Sequence, residues 1–258
     1  MEELSNIQIQ SEYVETKIVE SVAVVKVKKN GFKNLSNITP SSRIFEWTEV
    51  QKKTAEIKSI LFYFYQDSLS ENNYRSFLVE LSGNENLDWN LGGTIVLEKR
   101  LERSIELNML FNYARRLSNI NKLVFFCASG EVVTPYFGIS LLADFRLATK
   151  SMSFNLAHRK FGLHPSGLLP LMLQKYVGFG GAKKILISEE IIKAEKALDM
   201  GLVDNILQEE NFEENCIKEA LKYSQISQNV ITSTKDLMWN FNKEVEEYIN
   251  KEQKYINK

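Results

Sequence analysis

The 258-residue sequence is poor in the residue types on which many catalytic sites depend, with 12 Gly, 4 Pro, 2 His and 2 Cys. Few glycines leave few loops that can bring bare backbone close to a ligand. Two histidines supply few acid or base groups that titrate near neutral pH. The two cysteines, Cys127 and Cys216, lie far apart in the sequence and predict neither a disulfide framework nor a zinc site. The composition therefore restricts the chemistry that this chain can perform.

An excess of charge and a long apolar run are also lacking. The 32 Lys and Arg balance 33 Asp and Glu, so the formal net charge is −1. Such a balance gives no overall field to attract nucleic acid or an anionic membrane, and we expect neither partner. No stretch reaches about 18 uninterrupted apolar residues, and residues 1–10 lack the apolar core of a signal peptide. We therefore expect a soluble, reduced, cytoplasmic protein.

Apolar runs alternate with amphipathic stretches, which indicates an α/β fold with parallel strand pairing. The predicted strands are 21–28, 60–65, 122–128, 146–148, 153–156 and 203–207. The predicted helices are 39–58, 74–81, 95–119, 136–143, 166–176, 178–188 and 193–200. The remainder from residue 213 is helical and charged. We therefore predict a core over residues 1–207 and a C-terminal helical segment over residues 208–258.

Several short motifs follow one another in an order that is characteristic of one protein family. They are 33–35 (KNL), 122–130 (KLVFFCASG), 143–148 (ADFRLA), Phe154, 162–165 (GLHP), 177–182 (VGFGGA), 192–203 (IKAEKALDMGLV) and 233–235 (STK). With this spacing the sequence resembles the enoyl-CoA hydratase/isomerase (crotonase) superfamily from about residue 15 to 240. The run 162–170 is also similar to crotonase-type dehydratases of polyketide pathways.

The resemblance implies a fold, a substrate class and an assembly. The fold is a crotonase-like spiral of ββα turns with a C-terminal helical trimerisation segment, so a homotrimer or hexamer is expected. The substrate is an acyl-CoA or acyl-carrier-protein thioester, with no further cofactor and no metal. In the family, two backbone N–H groups hold the thioester oxygen as it becomes an enolate. Losing one such donor costs about 10²–10³ in rate.

This sequence departs from the family where that chemistry is done. Pro135 stands at the position of one donating glycine, and proline has no N–H, unless the N–H of Tyr136 replaces it. The other donor position falls within residues 68–74, near Ser70 and Glu71, where the carboxylate of Glu71 would repel an enolate. Gly138 stands at the first catalytic glutamate, so that side chain is missing.

Six further residues are candidates for the site, and each also has a simpler interpretation. His158 stands at the second catalytic glutamate and is a candidate general base, or a polar residue in a surface or interface turn. Tyr136 is a candidate to present its hydroxyl to an acyl group, or it packs at a helix start. Glu131 follows a strand end where ligands often bind, or it is a solvated charge. Lys29 and Lys33, which with Lys28 form a basic set at the turn after the first strand, are candidates to meet the phosphates of CoA, or they are solvated. His164 is expected to belong to a loop beside Pro165.

Two functions remain open from the sequence. The first is a divergent lyase or isomerase that acts on an acyl-CoA or acyl-carrier-protein thioester through an enolate, by dehydration, isomerisation or decarboxylation, with hydrolysis a further possibility. Standard hydration is not expected, because both glutamate positions are replaced. The alternative is a catalytically inactive paralogue that keeps the fold for acyl binding or as a scaffold. Two N–H groups, from 70–73 and 135–136, that point to one place about 3 Å from each would favour the enzyme.

Overall fold

A six-stranded sheet organises the chain, which a computed structural model describes over residues 8–83, 100–188, 191–238 and 242–255. Its strands lie in the order β1 (Val14–Val19), β2 (Val22–Val27), β3 (Ser59–Phe64), β4 (Leu123–Ala128), β6 (Phe145–Thr149) and β9 (Asn205–Leu207). The β1–β2 pair is antiparallel, and the other pairs are parallel. Strands β2 and β3 are buried at every position, as their largely apolar sequences predict.

A second, three-stranded sheet consists of β5 (Glu131–Val133), β7 (Ser153–Asn155) and β8 (Ile191–Lys193), in that order. Strand β5 pairs with β7 in parallel, and β7 pairs with β8 in the antiparallel sense. An isolated parallel bridge joins Leu69 to Val132. This bridge brings the segment after β3 next to the segment after β4, which are the two segments expected to hold the oxyanion donors.

The helices connect and cover these sheets. They are α1 (Gly31–Leu35), α2 (Ile38–Lys53), α3 (Glu71–Ser82), α4 (Arg100–Ser118), α5 (Tyr136–Ser140), α6 (Leu169–Ser188), α7 (Ala194–Asp199), α8 (Phe212–Leu221), α9 (Gln228–Met238) and α10 (Asn242–Glu252). Helix α6 is interrupted at Gly178, where the backbone has φ 69° and ψ 167°. In the described ranges, no helix combines the length and apolar character needed to cross a membrane.

Side chains alternate between the two faces of the main sheet, and each face has its own core. On one face, Val25, Phe62 and Phe126 belong to the large cluster shared with α2, α4 and α5. On the other face, Leu61 and Phe125 pack with α8, which contributes Phe212, Cys216, Ile217 and Ala220. Helix α8 thus covers the sheet although it lies within the predicted segment 208–258, and the division at residue 207 stays a prediction.

The two cysteines, far apart in the sequence, meet in this second cluster. Cys127 on β4 and Cys216 on α8 are both fully buried and free. Burial, with the neighbouring Cys216 thiol, raises the pKa of Cys127 well above its ordinary value. The Cys127 thiol is therefore not poised as a nucleophile.

The predicted elements differ from the structure mainly at their ends. The helix predicted over 39–58 ends at Lys53, because Thr54 is already extended. The helix predicted over 136–143 ends at Ser140 and continues as turns. The first residues of the helix predicted over 95–119 lie outside the described residues. Strands β1, β5 and β8 and the short α1 were not predicted. Strands β5 and β8 have three residues each and carry little periodicity, whereas β1 has six residues but mixes polar and apolar side chains.

Candidate functional site

The two expected oxyanion donor segments come together at the start of α3 and the start of α5. The N–H of Val133 donates to the carbonyl of Leu69 at 3.0 Å, which extends the parallel bridge between them. Ser70 caps α3, and its hydroxyl accepts from the N–H of Asn73 at 3.4 Å. The chain thus keeps the framework on which two donors could converge.

The backbone groups at the expected donor positions are already bonded or missing. The N–H of Glu71 donates to the Glu131 carboxylate at 3.0 Å. The N–H of Ser70 donates to the carbonyl of Asp67 at 3.1 Å. Pro135 has no N–H to offer. The expected positions therefore supply no pair of free donors, and the Glu131 carboxylate instead stabilises the positive end of the α3 dipole.

The Glu71 carboxylate points into a polar cleft of about 170 Å³, which Lys160 and Asn155 also line. It accepts hydrogen bonds from Asn155 Nδ2 at 2.9 Å and from Lys160 Nζ at 2.8 Å. Partial burial raises the pKa of Glu71, but these bonds outweigh burial and hold it below the ordinary value. The Glu71 carboxylate, which was expected to lie beside an enolate, is thus ionised and already paired with Lys160.

Gly138 lies against another backbone segment and leaves no room for a side chain. A Cβ added to Gly138 would lie 2.1 Å from the carbonyl oxygen of Gly167 and 2.6 Å from the nitrogen of Leu169. Gly167 in turn has φ +73°, and a Cβ there would lie 2.3 Å from the carbonyl oxygen of Pro135. The backbone at 167–169 therefore occupies the space that the side chain of the family's first catalytic glutamate would need.

Tyr136 is a core residue in this structure. It is 2% exposed, and its ring lies 5.0 Å from Phe32, which stacks on Tyr74 at 4.8 Å. Burial raises the pKa of its hydroxyl well above the ordinary value. The sequence's simpler interpretation, packing at a helix start, fits these contacts.

His158 is buried between two protein partners. One ring nitrogen, Nδ1, lies 3.4 Å from the hydroxyl of Thr134. Burial lowers the pKa of His158 to about 4, although a hydrogen bond with the backbone of Leu186 raises it. The imidazole is therefore neutral at neutral pH, and its role as a general base stays a prediction.

The two candidate lysines lie near the start of α1. Lys33 pairs with Glu80 at 3.0 Å, with 62% of the Lys33 side chain exposed. Lys29 is exposed on the turn before α1. Their contact with CoA phosphates stays a prediction.

One further group, a buried carboxylate on α10, was not predicted from the sequence. Glu252 is 4% exposed and lies with His164 in the wall of a cleft of about 470 Å³. Its carboxylate is bonded to the backbone of Gly167, 85 residues away in the chain. No local pattern marks such a contact, and Glu252 reads as one more charge on a charged helix. Among the described residues, no group of acidic, His and Cys side chains could hold a metal ion.

Comparison with known proteins identifies the fold and the family. Residues 91–258 match the family model described as enoyl-CoA hydratase/isomerase. The chain belongs to the enoyl-CoA hydratase/isomerase family. The crystal structure of enoyl-CoA hydratase from Bacillus halodurans superposes with a TM-score of 0.76, at 17% identity over 95% of this chain and 94% of that one. The crotonase fold expected from the sequence is thereby confirmed.

Curated members of the enoyl-CoA hydratase/isomerase family are similar only at low identity. The trans-2-decenoyl-[acyl-carrier-protein] isomerase of Streptococcus mutans is 24% identical over 58% of this chain and 60% of its own length. The ethylmalonyl-CoA decarboxylase of Bos taurus is 33% identical over 34% of this chain and 28% of its own length. The chain thus aligns with 60% or less of each of these relatives. They share the family but differ in the reaction they catalyse.

Proposed function

We propose that this protein binds an acyl-CoA or acyl-carrier-protein thioester and does not perform its family's enolate chemistry at the family's position. The observation that carries the proposal is that neither Pro135 nor Glu71 supplies a donor, since Pro135 has no N–H and the N–H of Glu71 is bonded to Glu131. Each missing donor costs about 10²–10³ in rate. Of the two functions left open by the sequence, this is the catalytically inactive, acyl-binding one.

The acid and base positions support the same proposal. Gly138 has neither a side chain nor the space for one, because Gly167 and Leu169 lie against it. His158 is held neutral and contacts Thr134 and Leu186 within the protein. A general base must lie within hydrogen-bond reach of the proton that it removes. His158 would have to leave both contacts before it could act.

Calorimetry combined with turnover assays tests the proposal directly. The protein is titrated with butyryl-, hexanoyl- and decanoyl-CoA, and the matching enoyl, hydroxyacyl and malonyl-type thioesters are assayed for turnover. We expect binding of at least one thioester and no turnover of any. Turnover would contradict the proposal and favour the divergent lyase or isomerase. In that case, a loss of turnover in His158→Gln would identify His158 as the base.

The assembly proposed with this function is a homotrimer or hexamer. Helix α9 exposes apolar side chains that a neighbouring copy would cover, with Val230 54%, Leu237 88% and Met238 67% exposed. Light scattering measures the mass of the assembly in solution. A monomeric mass would contradict this part of the proposal and would leave thioester binding to be judged by calorimetry.

A further inference from the structure

One side chain attaches the end of α10 to the loop before α6. The Glu252 carboxyl accepts the N–H of Gly167 through Oε1 at 3.0 Å and the N–H of Leu168 through Oε2 at 3.3 Å. The two donors lie 85 and 84 residues away in the chain. Both oxygens of the carboxyl are therefore engaged with the backbone of this loop.

The rest of α10 is held independently of Glu252. Val245 and Ile249 are buried in the large core cluster. Arg115 on α4 donates two hydrogen bonds to the Glu246 carboxylate, at 2.6 and 3.0 Å. Loss of the Glu252 contact would therefore free the last turn of α10 while the earlier turns stay in place.

The loop itself has a backbone conformation that needs support. Gly167 and Leu168 have φ values of +73° and +61°. A positive φ is strained for leucine and persists only where surrounding contacts hold it. A Cβ at Gly138 would lie 2.1 Å from the carbonyl oxygen of Gly167. Glu252 thus stabilises the same loop that leaves no room for a side chain at Gly138.

The carboxyl of Glu252 is costly to ionise at this place. Its side chain is 2% exposed, and within the described residues no lysine or arginine forms an ion pair with it. Nε2 of His164 lies 4.0 Å from Oε1, beyond hydrogen-bond reach. Burial raises the pKa of Glu252 to about 7, although the two backbone bonds and the charge of Arg103 lower it. Near neutral pH the group is therefore balanced between its acid and its carboxylate form.

The cleft between α6 and α10 offers the carboxylate a second position. Glu252 lies in the wall of this cleft of about 470 Å³, and Lys183 and Lys251, which are exposed, line it as well. Ammonium groups there would attract a carboxylate that water can reach. Rotation of one side chain would thus move the charge from a buried contact to a hydrated, cationic place. The titratable and charged groups around Glu252 are His164, Arg103, Lys183, Tyr248, Lys251 and Tyr255.

We propose that Glu252 is a pH-sensitive switch: the protonated carboxyl stays bonded to the loop at 166–168, and ionisation shifts it into the cleft towards the two lysines. In the shifted position the two N–H groups of the loop lose their acceptor. The loop then opens more often and uncovers the space beside Gly138. The switch acts in the free protein and needs no thioester, so its test is separate from that of the proposed function.

Hydrogen exchange at several pH values tests the switch in the full chain. Mass spectrometry of the peptide over residues 163–170 gives the protection factor of the loop, after correction for the intrinsic exchange rate at each pH. Glu252→Gln keeps the size of the side chain and one acceptor oxygen but cannot ionise. The ratio of the two protection factors, Glu252→Gln over wild type, is expected to rise on the order of 100-fold between pH 4.5 and 7.5, because ionisation of the wild-type carboxyl favours opening.

Two controls isolate the contribution of Glu252. His164 lies in the same loop, and burial lowers its pKa to about 4, but it titrates in both proteins and cancels in the ratio. Glu247→Gln removes an exposed carboxylate of the same helix, and its ratio should not change with pH. A constant ratio for Glu252→Gln overturns the switch. Equal protection of 163–170 and of 59–64 in the wild type also overturns it, because the loop would then open only when the whole chain unfolds.

A second pair of variants tests where the ionised carboxylate goes and leaves Glu252 unaltered. Lys183→Met combined with Lys251→Met removes both ammonium groups of the cleft, so protection of the loop at pH 7.5 is expected to rise about twofold or more. Lys184→Met combined with Lys243→Met is the matched control, since these exposed lysines of the same two helices lie outside the cleft. Protection that is unchanged in the first double variant, or raised equally in both, would contradict a carboxylate shifted towards the cleft.

Discussion

At the scale of single residues, Gly138 has little freedom to change. A side chain there would meet backbone atoms of Gly167 and Leu169, which cannot move aside as a flexible side chain can. Restoring the glutamate of the family at this position would therefore require two backbone segments to separate. The close packing of α5 against the start of α6 therefore excludes a carboxyl side chain at this position.

Gly138→Ala is predicted to lower the free energy of unfolding by about 1–3 kcal/mol, because its Cβ would overpack this contact. Gly180→Ala is the matched control, since a Cβ at that position of α6 would meet nothing within 4 Å. We expect the control to be neutral or to stabilise by about 0.5–1 kcal/mol. Urea denaturation measures both. Equal effects of the two substitutions would show that the Gly138 contact is not close.

At this scale, the sequence predicts only the chemical properties of a residue itself. Proline at 135 has no N–H and glycine at 138 has no side chain, whatever surrounds them. The engagement of the Glu71 N–H by Glu131 could not be read, because the two residues are 60 positions apart. The same holds for Glu252 and Gly167, which only the packing of α10 brings together.

At the scale of elements, long apolar runs were predictable and short strands were not. The runs at 60–65 and 122–128 predicted β3 and β4, because a strand buried on both faces needs an unbroken apolar sequence. Strand β8 has three residues, of which only Ile192 is buried, so it carries no pattern. Strand β8 is therefore stabilised by its pairing with β7 rather than by the strand propensity of its own sequence.

Helix α9 is held by polar contacts more than by its own core, since Ile231 is its buried residue among those described. Lys235 Nζ contacts Asp144 Oδ2 at 2.5 Å and the carbonyl of Lys122 at 2.9 Å. The same Asp144 oxygen accepts from the N–H of Val124 at 2.7 Å. Asp144 thus has a structural role, because it ties α9 to the first residues of β4.

Lys235→Met is predicted to lower the free energy of unfolding by about 2–4 kcal/mol, because it leaves the largely buried Asp144 carboxylate without its ion-pair partner. Lys243→Met is the control, since its pair with Glu247 is 3.8 Å long and exposed, and it should cost about 0.5 kcal/mol or less. Chemical denaturation measures both variants. A loss below about 1 kcal/mol for Lys235→Met would mean that water satisfies Asp144 instead.

At the scale of the whole molecule, burial of three titratable groups makes stability depend on pH in two opposite ways. Burial lowers the pKa of His158 and of His164 from 6.5 to about 4, so folding opposes their protonation and stability is lost as the pH falls from 6.5 to 4. Burial raises the pKa of Glu252 from 4.5 to about 7. Folding favours its protonated form, so that contribution is complete below pH 4.5 and is lost as the pH rises to 7.

Glu252→Gln is therefore predicted to remove the loss of stability between about pH 4.5 and 7. The difference in unfolding free energy, variant minus wild type, should rise by an amount on the order of 3 kcal/mol across that interval, because a pKa difference of one unit is worth about 1.4 kcal/mol. The groups around Glu252 stay in place in both proteins, namely His164, Arg103, Tyr248, Tyr255, Lys183 and Lys251. Glu247→Gln, which removes an exposed carboxylate from the same helix, is the matched control. Urea denaturation at several pH values gives the unfolding free energy of each protein as a function of pH. Parallel curves for Glu252→Gln and the wild type would show that the Glu252 carboxyl is solvated and that α10 does not close over the cleft.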